Sequence, residues 1–126
     1  MLFEIESAKS LDEIDAALKD AAARHKFGVL TVHDLKTTMK NKGVEFPKEC
    51  RIYEVCNPHK AKEVLLANGS ISTALPCRIS VYESGQGYKL ATILPTAMLQ
   101  MFTTPGVEHV AVEVEETLKA IMSESA

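Results

Sequence analysis

A chain of 126 residues that is 46% hydrophobic can bury one compact core but is too short for two, so residues 1–126 read as a single domain. Its 14 basic and 17 acidic residues give a formal charge of −3. Nothing in that balance forms the dense Lys/Arg field that phosphate backbones require, so nucleic acid is not an expected partner. The start, Met1-Leu2-Phe3-Glu4-Ile5-Glu6, has neither a basic leader nor a long apolar run. No membrane contact is expected, and the cytoplasm is the expected compartment.

Phe3 and Ile5 alternate with Glu4 and Glu6, which predicts a short first strand. Ser10-Leu11-Asp12-Glu13 matches a capping box, in which a hydroxyl and a carboxylate each satisfy a free N–H at a helix start. Leu11, Ile14, Leu18, Ala21, Ala22 and His25 then recur at helical spacing, which makes His25 a core histidine by position. Gly28 marks the exit. Val29-Leu30-Thr31-Val32 is apolar without alternation and predicts a second strand in the middle of the sheet. Asp34 can cap a short helix from Leu35 to Lys42 that ends at Gly43.

A third strand is predicted over Cys50 to Val55, followed by a strand-to-helix corner at Cys56-Asn57-Pro58. Asn57 suits the N-cap, and Pro58 suits the first helical position, where its missing N–H is not needed. That helix carries Ala61, Val64 and Leu65 inward and Lys60, Lys62 and Glu63 outward, and it ends near Asn68-Gly69. Ser70 to Leu75 reads as a loop or a single helical turn. Cys77, Ile79 and Val81 alternate with Arg78, Ser80 and Tyr82 in the clearest strand of the chain. Gly85-Gln86-Gly87 reverses the chain into a fifth strand, Tyr88 to Leu94. Pro95 starts another short helix. Val107, Val110, Val114, Leu118 and Ile121 form the stripe of a docked final helix, with Ser123 to Ala126 expected to fray. Alternating strands and helices closed by a hairpin predict an α+β, two-layer domain: a mixed sheet of about five strands packed against helices.

The chemistry-bearing candidates are the cysteines. Cys56 precedes Asn57-Pro58, and Cys77 stands between Pro76 and Arg78, so each lies at a strand end beside a proline. The positive end of the helix starting at Pro58 can lower the Cys56 thiol pKa if the sulfur points at it. The alternative is that both cysteines are small apolar fillers. Their separation depends on topology. A crossover between parallel strands would hold them roughly 17–20 Å apart, whereas antiparallel strands would make them neighbours. Cys56 and His59 have the spacing of half a zinc site, but no second pair accompanies them, so metal binding is a weak candidate. Gly85-Gln86-Gly87 lacks the rest of a phosphate loop, and no serine sits in a nucleophile elbow.

Three segments together carry a family resemblance: FGVLTVHDLKTTMKNKGVEF from Phe27 to Phe46, RIYEVCNP from Arg51 to Pro58, and ALPCRISVYE from Ala74 to Glu83. Over roughly Phe27 to Pro95 the chain resembles the domain-of-unknown-function 302 family. The resemblance implies a small α+β domain that commonly self-associates, with Cys56, Asn57, Pro58, Pro76, Cys77, Arg78 and Tyr82 on the matching pattern. It supplies no established reaction and leaves the cofactor unknown. Cys50 lies off the pattern and takes a structural role. The occurrence of similar proteins in bacterial sulfur-metabolism settings adds thiol or persulfide handling to the functions to consider.

The leading expectation is a cytoplasmic homodimeric binding module for a small ligand, a sulfur species or a metal, with Cys56, Asn57, Pro58, Cys77, Arg78 and Tyr82 at the site. The enzymatic alternative is thiol-dependent sulfur transfer or redox chemistry, with Cys56 as nucleophile and Cys77 as resolving partner. A purely structural dimerisation domain is the third.

Overall fold

A computed structural model describes residues 1–126. The elements in chain order are β1 (Leu2–Ser7), α1 (Leu11–Arg24), β2 (Gly28–Asp34), α2 (Leu35–Asn41), β3 (Cys50–Cys56), α3 (Pro58–Ala67), β4 (Cys77–Ser84), β5 (Gly87–Ile93), α4 (Pro95–Leu99) and α5 (Glu108–Ser125). A 3-10 helix, Gly69–Ala74, joins α3 to β4. The strands form one sheet in the order β1-β5-β4-β3-β2. The two-layer α+β class is as expected, but all four pairings are antiparallel, so the sheet is not mixed.

Local chemistry explains most boundaries. Ser10 Oγ accepts from the Glu13 N–H at 3.2 Å while Glu13 Oε1 accepts from the Ser10 N–H at 3.0 Å, completing the capping box of α1. Asp34 Oδ1 accepts from the Thr37 N–H at 3.1 Å and starts α2. The β4–β5 hairpin turns on Gly85 and Gln86, with Ser84 opposite Gly87 and Gly85 at φ +61°. A positive φ at the first of two central residues is the geometry that favours glycine there. The exit from α1 departs from expectation: the left-handed residue is Lys26, at φ 63°, two positions before Gly28.

Helices α1 and α5 lie side by side over one face of the sheet. Between them and the strands lies the main core, in which Ile14, Leu18, Tyr53, Val55, Ile79, Val81, Leu90, Leu118, Ile121 and Met122 are buried. Each large apolar side chain removed from water here contributes on the order of 1.5–3 kcal/mol before entropy is counted. Ala21 and Ala22, both fully buried, let α1 approach the strands closely. A smaller cluster, Val64, Ile71, Val107 and Val110, fills one end of the molecule beneath α3 and the 3-10 helix. No helix is long and apolar enough to cross a membrane.

Three expectations are corrected. β2 is an edge strand rather than a central one. The register against β3 shifts between Val29 and Thr31, which places Val29 opposite Val55 and Val32 opposite Tyr53 on the covered face and leaves Leu30 59% exposed. A bulge, not burial on both faces, accounts for the unbroken apolar run. His25 is not a core residue: it closes α1, half-buried, with Nε2 2.7 Å from Glu124 Oε2. The C-terminus does not fray. α5 continues through Ser125, which is fully buried, and Ser7 Oγ donates to the Ala126 carbonyl at 2.9 Å.

Candidate functional site

Antiparallel pairing of β3 and β4 settles where the two strand-end cysteines meet. Val55 lies directly opposite Cys77, so Cys56 and Cys77 are neighbours at the same end of the sheet. Over that end the chain folds α3, the 3-10 helix and α4 against α5, and a cavity of about 70 Å³ remains between the main core and the smaller cluster. Val55, Cys56 and Cys77 form its floor, α3 contributes Lys60, Ala61 and Val64, and Leu99, Phe102 and Val110 close the far side. Of 18 lining residues 15 are hydrophobic, and the polar side chains are those of Asn57 and Lys60.

Asn57 explains both the corner and the behaviour of the thiol beside it. Its Oδ1 accepts from the His59 N–H at 3.0 Å and the Lys60 N–H at 3.2 Å, so two donors of the helix terminus are already engaged. Burial pushes the Cys56 thiol up. Burial pushes Cys77 further, to about 11, and a negative charge on neighbouring Cys56 would add to that rise. Cys50, at the other end of β3, is likewise raised by burial. All three cysteines are free.

The remaining residues expected at the site divide between places. Pro58 is exposed at the first position of α3. Arg78 and Tyr82 leave β4 on the face opposite Cys77, Ile79 and Val81, away from the cavity. There an Arg78 guanidinium nitrogen lies 3.7 Å from Glu54 Oε1, and His33 Nε2 lies 3.0 Å from the same oxygen. His59 is exposed, and no group of three or more His, Cys, Asp or Glu side chains is arranged to hold a metal ion.

Several wall residues have no individual signature in the sequence. Lys60, expected on the solvated side of α3, lines the cavity and pairs with Glu113 of α5. Leu65, expected inward, is 36% exposed. The inward periodicity of α5 identified Val110 and Val114 as packing residues, but not that their partners would leave a gap.

A family model described as "Domain of unknown function DUF302" matches residues 3–125, well beyond the segment that carried the resemblance. No curated protein matches. Among solved structures, the chain is similar to the crystal structure of an uncharacterized conserved protein DUF302 from Bacillus stearothermophilus. That match has 26% sequence identity and a TM-score of 0.93, and covers 99% of this chain and 98% of the other. With the matched region taking in every element of the sheet and its helices, the chain belongs to the DUF302 family.

Proposed function

We propose that this protein is a binding module whose ligand is a small, largely apolar molecule held in the cavity between the two hydrophobic clusters. The single observation carrying the proposal is that cavity: about 70 Å³, walled by 15 hydrophobic residues among 18, with Cys56 and Cys77 in its floor. One water-sized position takes about 10–15 Å³ on this measure, so the space corresponds to roughly five to seven such positions, enough for a molecule of about six carbons. An apolar space of this kind favours an apolar guest over water. The three free thiols fit a reducing, cytoplasmic setting.

Binding is favoured over thiol catalysis because burial raises both thiols, whereas a nucleophilic cysteine needs a stabilised thiolate. Metal binding lacks a cluster of three ligating side chains here. Titration with hexan-1-ol, followed by amide chemical shifts, tests the proposal. The shifts should concentrate at Val55, Cys77, Ala61 and Val110, and Ala61→Leu, which fills the space, should abolish them. Shifts spread over the surface, or unaltered by the filling substitution, would defeat it.

A second reading concerns assembly: the protein forms a homodimer through the sheet face that no helix covers. Ile52, Ser80 and Ala91 are half-buried there, Leu2 and Ile93 are 56% and 47% exposed, and a hollow of about 340 Å³ lies among them. The charges on this face are of both signs, Glu4 with Lys89 and Glu54 with Arg78, which suits a self-complementary contact between two copies. Sedimentation at micromolar concentration should give a dimer mass that Ala91→Arg converts to a monomer. A monomer mass for the native chain would overturn this assembly.

A further inference from the structure

We infer that the cavity ligand carries an anionic acceptor group, and that its class is a short-chain aliphatic carboxylate bound tail-inward with its head at Lys60. The inference rests on the proposed binding role of the cavity and adds the chemistry of its mouth.

The polar side chains on the wall offer donors and no free acceptor. Asn57 Oδ1 is committed to the N–H groups of His59 and Lys60, which leaves only the side-chain NH₂ for a guest, and that group can only donate. Lys60 Nζ is a donor with a full positive charge. The only other heteroatoms of wall side chains are the Cys56, Cys77 and Met98 sulfurs, which are weak partners. An amine finds no strong side-chain acceptor on this wall and an alcohol oxygen accepts only as a neutral partner, whereas a carboxylate meets two donor groups, one of them a full cation.

Lys60 is also placed to make the exchange. It is 34% exposed at the border between cavity and solvent and pairs with Glu113, which is 50% exposed on α5. The protein thus already holds a carboxylate against Lys60 from the solvent side. A ligand carboxylate emerging from the cavity can share or replace Glu113 without leaving the ammonium unpaired. The neighbouring side chains of Glu63 and His109 pair with each other at 3.1 Å and do not compete for Lys60.

Calorimetric titration of the full chain with hexanoate and with hexan-1-ol separates head from tail. Hexanoate should bind about tenfold more tightly, the scale of one charge-assisted hydrogen bond. Lys60→Met should remove that advantage, so that hexanoate and hexan-1-ol bind with similar affinity, with an unchanged far-UV circular dichroism spectrum certifying that the variant is folded. Glu113→Gln removes the competing carboxylate and should tighten hexanoate at least twofold, the opposite direction to Lys60→Met. If hexan-1-ol binds as well as hexanoate to the native chain, or if Lys60→Met leaves the ratio intact, the carboxylate assignment is overturned and the apolar cavity stands. If neither ligand binds, the cavity proposal itself falls and this inference with it.

Discussion

Tyr53 and Asp15 meet across the sheet–helix boundary, the buried tyrosine donating its hydroxyl to Asp15 Oδ1 at 2.6 Å. Lys19 Nζ lies 2.9 Å from the other carboxylate oxygen, and an Arg51 guanidinium nitrogen lies 3.7 Å from Oδ1. Burial and the Asp15 carboxylate together push the Tyr53 phenol well above its ordinary value, so the hydroxyl remains a donor. Burial alone would raise Asp15 as well, but the Tyr53 hydroxyl, Lys19 and Arg51 outweigh it and hold the carboxyl below its usual 3.8. Arg51 Nε is buried without a hydrogen-bond partner, 4.0 Å from Asp34 Oδ2.

Removing the hydroxyl with Tyr53→Phe keeps the ring in the core and takes one donor from a carboxylate, which should cost about 1–3 kcal/mol in urea unfolding at neutral pH. The sign of the pH dependence follows from the lowered Asp15 pKa. A carboxyl that ionises more readily when folded stabilises the protein above its unfolded value, and that contribution disappears as pH falls through the folded value. The difference between native and Tyr53→Phe proteins should therefore shrink below about pH 4. An equal difference at both pH values would show that Asp15 is not the group the hydroxyl serves.

Gly87 is required for packing rather than for its backbone angle. A Cβ built there would lie 2.5 Å from the Ser7 carbonyl oxygen, at the closing end of the β1–β5 ladder, where Ser7 pairs with Tyr88. Backbone on both sides cannot yield as a side-chain end would. Gly87→Ala should cost roughly 1–3 kcal/mol and loosen β1, seen as faster amide exchange from Glu4 to Ser7. Gly85→Ala meets no atom within 4 Å but must hold φ +61°, costing about 1–2 kcal/mol with β1 protection unchanged. Matching exchange patterns for the two variants would contradict the distinction.

The features legible in the sequence are those written within a few neighbouring residues. Ser10 and Glu13 announced α1, Asn57-Pro58 announced α3, and the alternation from Cys77 to Tyr82 announced β4. Features fixed by distant partners were not. Val29-Leu30-Thr31-Val32 carries the composition of a central strand, yet its place at the edge follows from β3 pairing with β4 on its other side. The last residues of α5 look like a free end until Ser7, more than a hundred positions away, supplies a hydroxyl for the Ala126 carbonyl. The candidate site divides in the same way. Alternation along β4 put Cys77 and Arg78 on opposite faces, but the adjacency of Cys56 and Cys77 required the antiparallel pairing. The cavity exists because α3, α4 and α5 meet without filling the space between them, a relation no single helical stripe records.

The thiols supply a test that links cavity and fold. Cys77 is buried and its thiol is raised to about 11, whereas Cys50 and Cys56 are half-buried. Alkylation with iodoacetamide near pH 8 should modify Cys77 far more slowly than the other two, with mass spectrometry of peptides giving each rate. A molecule occupying the cavity should slow Cys56 and Cys77 and leave Cys50 unchanged, because Cys50 lies at the opposite end of β3. The raised Cys77 value also fixes a sign. The folded chain keeps the thiol proton at a pH where the unfolded chain, near 9, has begun to lose it, so stability should fall as pH rises from about 9 toward 11. Cys77→Ala removes the titrating group and should flatten that part of the stability profile, at a cost in packing of roughly 1 kcal/mol. Rapid modification of Cys77 in the folded protein, with no slowing by a cavity ligand, would place its sulfur outside the cavity and remove it from the binding site.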